Sequence, residues 1–266
     1  MGSSSNIFSY SIGHGPNLVL LHGWGMSGRV FEAWAQLLSD SFRVTVVDLP
    51  GHGESGLPEG DSVESFAKSI VYGLPTEFHL LGWSLGGLVG MCIARDFPNK
   101  VLSLGLIAST PCFIANKGWP GIDLLMLQKL ADDLLTDALA TIKRFAGLQN
   151  LGLPGSRLWT KRLVEIIDGS PFPRMDVLRS TLLMIRSTDY RDEFSVLSAP
   201  TYFIQGEVDR LVPSEVLPLL MDLNPTIKVN LIEGGGHVPF LTHPESCASY
   251  VKGLLLNQPG GALAGG

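Results

Sequence analysis

A serine between two glycines is the first feature of this sequence that could do chemistry. Ser84 stands in the segment LLGWSLGGLVG, residues 80–90, with Gly82 two residues before it and Gly86 two residues after it. The run FHLLGW predicts a buried strand, and the run LGGLVGMCIARDF predicts a helix that ends before Pro98. A strand that turns sharply into a helix displays the residue at the turn, and flanking glycines allow the close approach. This context predicts that Ser84 is a nucleophile rather than part of an ordinary turn.

A serine hydroxyl is a weak nucleophile, so it needs a neighbouring base and an acid that orients the base. His237 lies in the glycine-rich segment EGGGHVPF, directly after the last predicted strand. Asp209 follows another predicted strand in TYFIQGEVD, and Glu207 is the alternative acid. The order Ser84, Asp209, His237 is the nucleophile–acid–base order of α/β-hydrolases. We therefore predict a catalytic triad of these three residues.

The segment LLHGWGMSG, after the first predicted strand, could complete such a site, because its glycines let the backbone approach a ligand. We expect the backbone N–H groups of Trp24 and Leu85 to donate to the negative oxygen of a tetrahedral intermediate. A serine at position 84, rather than the aspartate of haloalkane dehalogenases and epoxide hydrolases, favours acyl transfer to water. Neither a metal-ligand cluster nor a nucleotide-binding fingerprint appears, and we expect no metal and no cofactor.

The elements that must position these residues alternate along the first part of the chain. Four short runs rich in Val, Leu and Ile predict buried parallel strands: 18–22, 43–48, 78–83 and 102–109. Apolar residues at three- and four-residue spacing predict helices between them. Asp61 is expected to cap one of these helices, with Glu64 three residues on. Strands that alternate with helices imply right-handed crossovers and a mostly parallel sheet.

The alternation stops in residues 111–190, where the periodicity predicts four helices and no convincing strand. The α/β pattern resumes at 201–209 and 228–235, and a last helix begins at Pro244. We therefore predict an α/β-hydrolase fold, with a mostly parallel central sheet flanked by helices and an inserted all-helical cap. The predicted domains are a core of 1–110 and 191–257, a cap of 111–190, and a flexible tail of 258–266.

Composition limits the possible partners and the cellular compartment of the protein. A formal net charge of −6 and an isoelectric point near 5.5 argue against a nucleic-acid partner. The cysteines at positions 92, 112 and 247 are too scattered for a disulfide framework, which fits a reducing compartment. The N-terminus does not read as a signal peptide, and no apolar run is long enough for a membrane span. We expect a cytoplasmic monomer without membrane contact.

Several longer motifs together resemble one family. They are LVLLHGWGM, VVDLPGHGES, LGWSLGGLV, ASTPCF with WPGI, and GGGHVPFLTHP, and the resemblance covers about residues 17–252. The chain resembles the BioH family of pimeloyl-[acyl-carrier protein] methyl ester esterases, within the α/β-hydrolase superfamily. This resemblance implies a serine carboxylesterase of biotin synthesis that works through an acyl-enzyme, with Ser84 as nucleophile, Asp209 as acid and His237 as base.

The resemblance also implies how the substrate is held. Trp24 and Leu85 are similar to family residues that contact the acyl chain as well as the oxyanion, and Phe145 to a cap aromatic beside that chain. An acyl carrier protein that bears the pimeloyl methyl ester is the implied partner.

The family uses basic cap residues to hold the phosphopantetheine phosphate and the acidic surface of the carrier. Arg144, Arg157 and Lys161 fall near those positions, although Lys161 and Ala140 stand where arginines are expected. The segment 111–190 has ten basic and eight acidic residues, a balance of +2 against −8 for the other residues. This asymmetry is compatible with an acidic partner at the cap, and a solvated helical surface is the alternative for any single residue.

Other functions remain open at the level of sequence. A generic short-chain carboxylesterase or a carbon–carbon bond hydrolase would have the same triad, and a non-catalytic receptor could share the fold. The bare motif of Ser84 does not separate them.

Overall fold

A seven-stranded sheet forms the centre of the molecule in the computed structural model, which describes residues 6–256. The strands are β1 (Ser9–Ile12), β2 (Asn17–Leu21), β3 (Arg43–Val47), β4 (Phe78–Trp83), β5 (Val101–Ile107), β6 (Thr201–Gly206) and β7 (Lys228–Ile232). Their order across the sheet is β1-β3-β2-β4-β5-β6-β7. All neighbours are parallel except β1 and β3, which are antiparallel. The predicted mostly parallel sheet is confirmed.

Helices flank this sheet and carry its crossovers. They are α1 (Glu32–Leu38), α2 (Val63–Val71), α3 (Leu85–Asp96), α4 (Leu124–Thr136), α5 (Ala138–Gln149), α6 (Ser156–Asp168), α7 (Met175–Ser187), α8 (Arg191–Ser195), α9 (Val216–Leu223), α10 (Pro239–Thr242) and α11 (Pro244–Leu256). A short 3-10 helix, Gly28–Phe31, precedes α1. The last helix begins at Pro244, as its sequence predicts.

The middle of the sheet is covered on both faces. All six residues of β4 and of β6 are buried, as are four of the five in β2. Strands covered on both faces need continuous apolar runs. These strands could be predicted because such runs are present in the sequence. The edge strand β1 alternates between exposed and half-buried residues and was not predicted, because four residues of this kind give little hydrophobic signal. Ser84 therefore follows a deeply buried central strand.

The start of α2 differs from the prediction. Ser62, not Asp61, is the N-cap, and its hydroxyl accepts a 3.2 Å hydrogen bond from the Ser65 backbone N–H. The Ser65 hydroxyl in turn accepts from the Ser62 N–H, also at 3.2 Å, which completes a capping box. Glu64 instead accepts hydrogen bonds from Tyr190 and Arg95. The helix begins one residue later than the prediction because a serine pair can satisfy both N–H groups.

Four helices, α4 to α7, lie within residues 111–190. Helix α4 packs against both α5 and α7, and α5 packs against α6. Asp123 and Asp137 cap α4 and α5 by accepting hydrogen bonds from backbone N–H groups of the first turn. The short helices α8 and α10 were not predicted. The predicted tail, 258–266, lies outside the described residues.

Within residues 6–256, no helix combines the length and the apolar character needed to cross a lipid bilayer.

Candidate active site

The backbone turns sharply at Ser84, between β4 and α3. Ser84 adopts φ 54° and ψ −120°, a strained conformation for a residue with a side chain. Its carbonyl oxygen accepts hydrogen bonds from the Gly87 N–H at 2.9 Å and from the Ser109 hydroxyl at 2.8 Å. Its own N–H donates to the carbonyl of Ile107 at 3.0 Å. These bonds hold the strained residue in place, and its side chain projects from the turn.

The glycines around Ser84 are needed for close packing. A Cβ on Gly82 would overlap the backbone of Gly86, and a Cβ on Gly86 would overlap the carbonyl of Leu21. A Cβ on Gly87 would overlap the Ser109 hydroxyl. The helix therefore starts directly against the ends of β2 and β4, which requires residues without side chains at these positions.

The structure brings the three predicted residues together in one hydrogen-bonded line. His237 Nε2 lies 3.0 Å from Ser84 Oγ, and His237 Nδ1 lies 2.8 Å from Asp209 Oδ2. All three side chains are buried. The alternative acid, Glu207, does not reach His237, because its carboxylate accepts a 2.8 Å hydrogen bond from the Gly234 N–H. A line of this kind can move the Ser84 proton to the imidazole while the carboxylate stabilises the imidazolium.

Asp209 is held by four donors. Its Oδ1 accepts from the backbone N–H groups of Leu211 at 2.8 Å and Val212 at 3.1 Å. Its Oδ2 accepts from the side-chain amide of Gln205 at 3.2 Å as well as from His237. Two donors to each oxygen fix the carboxylate and stabilise its negative charge inside the protein.

The predicted oxyanion donors, Trp24 and Leu85, belong to the two segments beside Ser84. A Cβ on Gly23 would lie 3.2 Å from the Cβ of Ser84, so the loop after β2 runs directly beside the serine. Among the described residues, no group accepts a hydrogen bond from the backbone N–H of Trp24 or of Leu85. Both N–H groups are therefore free to donate to a negative oxygen formed next to Ser84.

His22 shapes that loop. Its Nε2 accepts a 2.9 Å hydrogen bond from the Leu49 N–H, so its Nδ1 carries the proton and donates to the carbonyl of Gly23 at 2.9 Å. Burial lowers the pKa of His22 to about 4, because the charged imidazolium would lose its hydration. The neutral ring thus serves as a fixed support for the loop and not as a base.

An apolar pocket lies above Ser84 and His237, with Phe145 and Trp24 in its wall. The other lining residues are Phe113, Ile122, Met126, Leu127, Leu130, Leu182, Ile185 and Leu211. The Trp24 and Phe145 rings meet edge to face at 5.1 Å, and Trp24 Nε1 donates to the carbonyl of Leu178 at 3.0 Å. The open cavity is only about 10 Å³, room for no more than one water. Side chains from α4, α5 and α7 therefore nearly fill the space next to the serine.

The sequence matches the family model of the alpha/beta hydrolase fold over residues 16–244. This span contains Ser84, Asp209 and His237, together with the strands β4, β6 and β7 that precede them. The chain belongs to the α/β-hydrolase family. The predicted fold class is confirmed.

Curated relatives of this α/β-hydrolase extend over nearly its whole length. A protein of Methylococcus capsulatus named pimeloyl-[acyl-carrier protein] methyl ester esterase is 38% identical over 252 residues, 95% of this chain and 99% of that protein. A protein of Aeromonas salmonicida with the same name is 39% identical, covering 90% of this chain and 95% of that protein. The resemblance inferred from the motifs is confirmed.

Solved structures share the fold. An esterase from Exiguobacterium antarcticum matches with a TM-score of 0.85 at 22% identity, over 94% of this chain and 95% of that one. A bromoperoxidase from Bacillus anthracis matches with a TM-score of 0.84 at 24% identity, over 95% and 96%. At such identities the likeness concerns the fold alone.

The basic residues that the resemblance singled out lie on the outer surface of this α/β-hydrolase, away from the triad line. Arg144 on α5 is exposed and lies 3.5 Å from the carboxylate of Asp133. Arg157 and Lys161 are exposed on α6, one helical turn apart, and Lys161 lies 3.7 Å from Glu165. Two of the three cations therefore already have an acidic neighbour.

Some residues of the site were not found by sequence reasoning. Trp83 Nε1 donates a 2.8 Å hydrogen bond to the carbonyl of His237, and the His237 N–H donates to the carbonyl of Gln149 at 3.2 Å. Gln205 binds Asp209. Gln205, like Asp209, lies near the end of a predicted strand. Nothing in the sequence indicates, however, that its amide binds Asp209. Among the described residues, no three His, Cys, Asp or Glu side chains are grouped to hold a metal ion.

Proposed function

We propose that this α/β-hydrolase is a serine carboxylesterase that removes the methyl group from the methyl ester of a pimeloyl chain on an acyl carrier protein. The observation that carries the proposal is the line Ser84–His237–Asp209 beside two free N–H groups. The names of relatives that align along nearly the whole chain supply the substrate.

In the first half of the reaction, Ser84 Oγ attacks the carbonyl carbon of the methyl ester while His237 Nε2 takes its proton. The N–H groups of Trp24 and Leu85 donate to the oxygen that becomes negative. The bond to the methoxy oxygen then breaks, and His237 gives its proton to this oxygen, so methanol leaves. The acyl group remains on Ser84 as an ester.

In the second half, a water molecule attacks the acyl carbon, and His237 accepts the water proton. The bond to Ser84 Oγ breaks, and His237 returns the proton to Ser84. The carboxylic acid leaves and loses its remaining proton to solvent as carboxylate, and the starting enzyme is restored. Asp209 keeps Nδ1 of His237 protonated throughout and stabilises the imidazolium in both halves.

The pocket supports a neutral ester as the reacting group. No charged side chain among the described residues lines it apart from the titratable His237, and its walls are apolar. A substrate carboxylate would lose its hydration there without a partner, whereas a methyl ester has no charge to desolvate. The same property favours release of the carboxylate product. We assign the acyl chain to the cap side of the pocket, against Phe145 and Trp24.

The proposed partner is the acyl carrier protein, with the exposed cations Arg144, Arg157 and Lys161 as contacts for its acidic surface. The residues of 111–190, as the cap, would cover the acyl chain while the carrier stays outside. The proposed setting is the cytoplasm, which suits the three cysteines, all buried and unpaired.

Mass spectrometry of the carrier-bound ester tests the proposal. The expected result is loss of the methyl group from pimeloyl-carrier methyl ester, with methanol as co-product. Ser84→Ala should lower the rate roughly 10⁴- to 10⁶-fold.

Three results would contradict the proposal. Faster hydrolysis of simple short-chain esters than of the carrier ester would indicate a general esterase. Turnover of ring-fission diketones with none of the ester would indicate a carbon–carbon bond hydrolase. Binding of the ester without any product would indicate a receptor.

A further inference from the structure

The wall of the apolar pocket is thin on the side of α4 and α7. A surface groove of about 410 Å³ runs between these two helices, outside the pocket. Leu127 of α4 and Leu182 of α7 line both the groove and the pocket, and each is only 4% exposed. These two side chains therefore lie between solvent in the groove and the space next to Ser84.

Both leucines can turn away from this wall. A leucine is not branched at Cβ and has alternative staggered rotamers, so its side chain can move without a shift of the helix. Ala131 lies one helical turn after Leu127, and in the groove it presents only a methyl group beside that leucine. On α7, the neighbouring Leu183 is 54% exposed, so the groove is open to solvent there. A change of rotamer at Leu127 and Leu182 would connect the groove with the pocket.

The proposed reaction needs such a connection. After methanol has formed, the acyl chain is an ester of Ser84 at one end and remains attached to the carrier at the other end. The chain itself then fills the route by which it entered, and the pocket has only about 10 Å³ free. Methanol must nevertheless leave, and a water molecule must reach the acyl carbon, before the enzyme can complete its cycle.

The packing of the helices places the groove away from the proposed carrier contacts. Helix α4 packs against α5 and α7, and α5 packs against α6, so the helices follow one another in the order α7, α4, α5, α6. Arg144 lies on α5, and Arg157 and Lys161 lie on α6. The groove lies at the other end of this order, so a carrier bound to the three cations leaves it open to solvent.

We propose that the groove between α4 and α7 is the route by which methanol leaves and water enters while the acyl chain remains on Ser84, and that Leu127 and Leu182 form its gate. The inference rests on the proposed function, because only a substrate on a long arm fills the entrance of the pocket throughout the reaction. The two leucines offer no hydrogen bonds, so they do not retain methanol or water in passing. When closed, they keep bulk water away from the reacting carbonyl.

Blocking the groove tests the proposal with two substrates. Leu183→Cys places a thiol in the groove, and Leu158→Cys places one on α6, where the native leucine is about equally exposed, 51% against 54%. Because the three native cysteines are buried, fluorescein maleimide will modify the new thiol selectively. Each labelled protein is compared with the same variant before labelling. One substrate is the pimeloyl-carrier methyl ester, and the other is p-nitrophenyl butyrate, whose short acyl group leaves the entrance open.

We expect labelling of Leu183→Cys to lower kcat for the carrier ester at least about fivefold, because the passage of methanol and water becomes rate-limiting. In the same protein, kcat for p-nitrophenyl butyrate should change by less than about twofold. Labelled Leu158→Cys should keep kcat for both substrates, although KM for the carrier ester can rise.

Three results would overturn the route. The first is an unchanged kcat for the carrier ester after complete labelling of Leu183→Cys. The second is an equal fall of kcat for both substrates, which would mean that the label only disturbs the pocket. The third is an equal loss of kcat for the carrier ester in labelled Leu158→Cys.

A second measurement follows methanol itself in the same proteins. Added methanol that is deuterated on its methyl group can attack the acyl carbon while His237 takes its hydroxyl proton. His237 then gives a proton to Ser84 Oγ as the bond between this oxygen and the acyl carbon breaks. The carrier ester is thereby re-formed with a deuterated methyl group, which mass spectrometry detects. We expect labelling to slow this exchange at least about fivefold in Leu183→Cys and less than about twofold in Leu158→Cys. Exchange at the unlabelled rate in Leu183→Cys would assign methanol to another route and overturn the proposal.

Failure of the proposed function has a different signature. The native protein would then hydrolyse p-nitrophenyl butyrate but demethylate no carrier ester, and the route would fall together with the proposed function. The route alone fails if the native protein demethylates the carrier ester and labelled Leu183→Cys does so at the same rate as before labelling.

Discussion

The indole of Trp83 donates a 2.8 Å hydrogen bond from Nε1 to the backbone carbonyl of His237, so the residue before the proposed nucleophile fixes the loop of the proposed base. The two residues are 154 positions apart in the chain and both are buried. The ring of Trp83 also packs edge to face on Phe240 at 5.4 Å, in the loop and helix that follow His237. The distance between Ser84 and His237 is therefore set by a direct connection and not only by the sheet.

Trp83→Phe tests this connection. The variant keeps an aromatic ring but leaves the buried His237 carbonyl without its donor, which costs about 1–3 kcal/mol of stability. We expect kcat for p-nitrophenyl butyrate to fall about tenfold with little change in KM, because misplacement of a base affects the transition state. Trp34→Phe is the control, since its indole donates to the carbonyl of Pro244 at 3.1 Å in the same aromatic cluster. If both variants lose stability but neither loses kcat, Trp83 has only a structural role.

Gln205 is the second support of the proposed triad. Its amide donates to Asp209 Oδ2 at 3.2 Å and to the carbonyl of Val212 at 2.7 Å, and it is fully buried. Gln205→Met removes these bonds, and a third of 3.2 Å to the carbonyl of Gly206, at similar volume. We expect kcat to fall several-fold at unchanged KM, because Asp209 then holds the imidazole less firmly. Asn224→Leu replaces another buried amide, one that binds Thr226 instead, and should leave kcat as it is. Steady-state kinetics with a urea titration separates the two effects.

The proximity of Ser84, Asp209 and His237 could be predicted because each follows a strand of recognisable sequence. Ser84 and Asp209 come one and three residues after β4 and β6, so a buried apolar run locates them at one edge of a parallel sheet. The partners of Trp83 and Gln205 could not be predicted in this way. Their hydrogen bonds join segments that are distant in the chain, and an indole or amide in a strand fits many environments.

The limits of prediction in the fold have similar causes. Apolar runs in the sequence predicted β2 to β7, whereas β1 is short, half exposed and held by pairing with β3. The capping box of α2 was missed by one residue because Ser62 and Asp61 are both suitable caps. The way in which α4 packs against α7 is a further example, because periodicity alone does not determine which helices meet.

Two buried histidines make stability depend on pH. Burial lowers the pKa of His52 to about 3, with the charge of His22 as a further cause, and burial lowers the pKa of His22 to about 4. Above pH 6.5 both rings are neutral in the folded and in the unfolded chain. The protein therefore keeps its full free energy of unfolding there. As the pH falls from 6.5 toward 4, the unfolded chain binds protons that the folded protein does not, and stability is lost. At pH 5, each ring should lower the free energy of unfolding by about 2 kcal/mol relative to neutral pH.

His52→Phe tests this pH dependence. His52 Nε2 is buried and has no hydrogen-bond partner within residues 6–256, so the ring is a suitable site for an apolar replacement. We expect the loss of unfolding free energy between pH 7 and pH 5 to be about 2 kcal/mol smaller in the variant than in the native protein. His14→Gln, which removes an exposed imidazole, should retain the native difference. Urea titrations at the two pH values provide the measurement, and equal differences in all three proteins would exclude His52 as a source.

Phe145 limits the space for the acyl chain. Its ring packs on Trp24 at 5.1 Å in a pocket that has only about 10 Å³ free, so a smaller residue adds room next to Ser84. In Phe145→Val we expect kcat/KM for p-nitrophenyl octanoate to rise several-fold relative to the acetate, although stability falls by about 1–3 kcal/mol. Phe97→Val is the control, because Phe97 packs on the core after α3 and does not line the pocket. If Phe97→Val changes the octanoate-to-acetate ratio of kcat/KM by the same factor, the effect comes from general loosening of the protein. If Phe145→Val leaves this ratio unchanged, the acyl chain lies elsewhere.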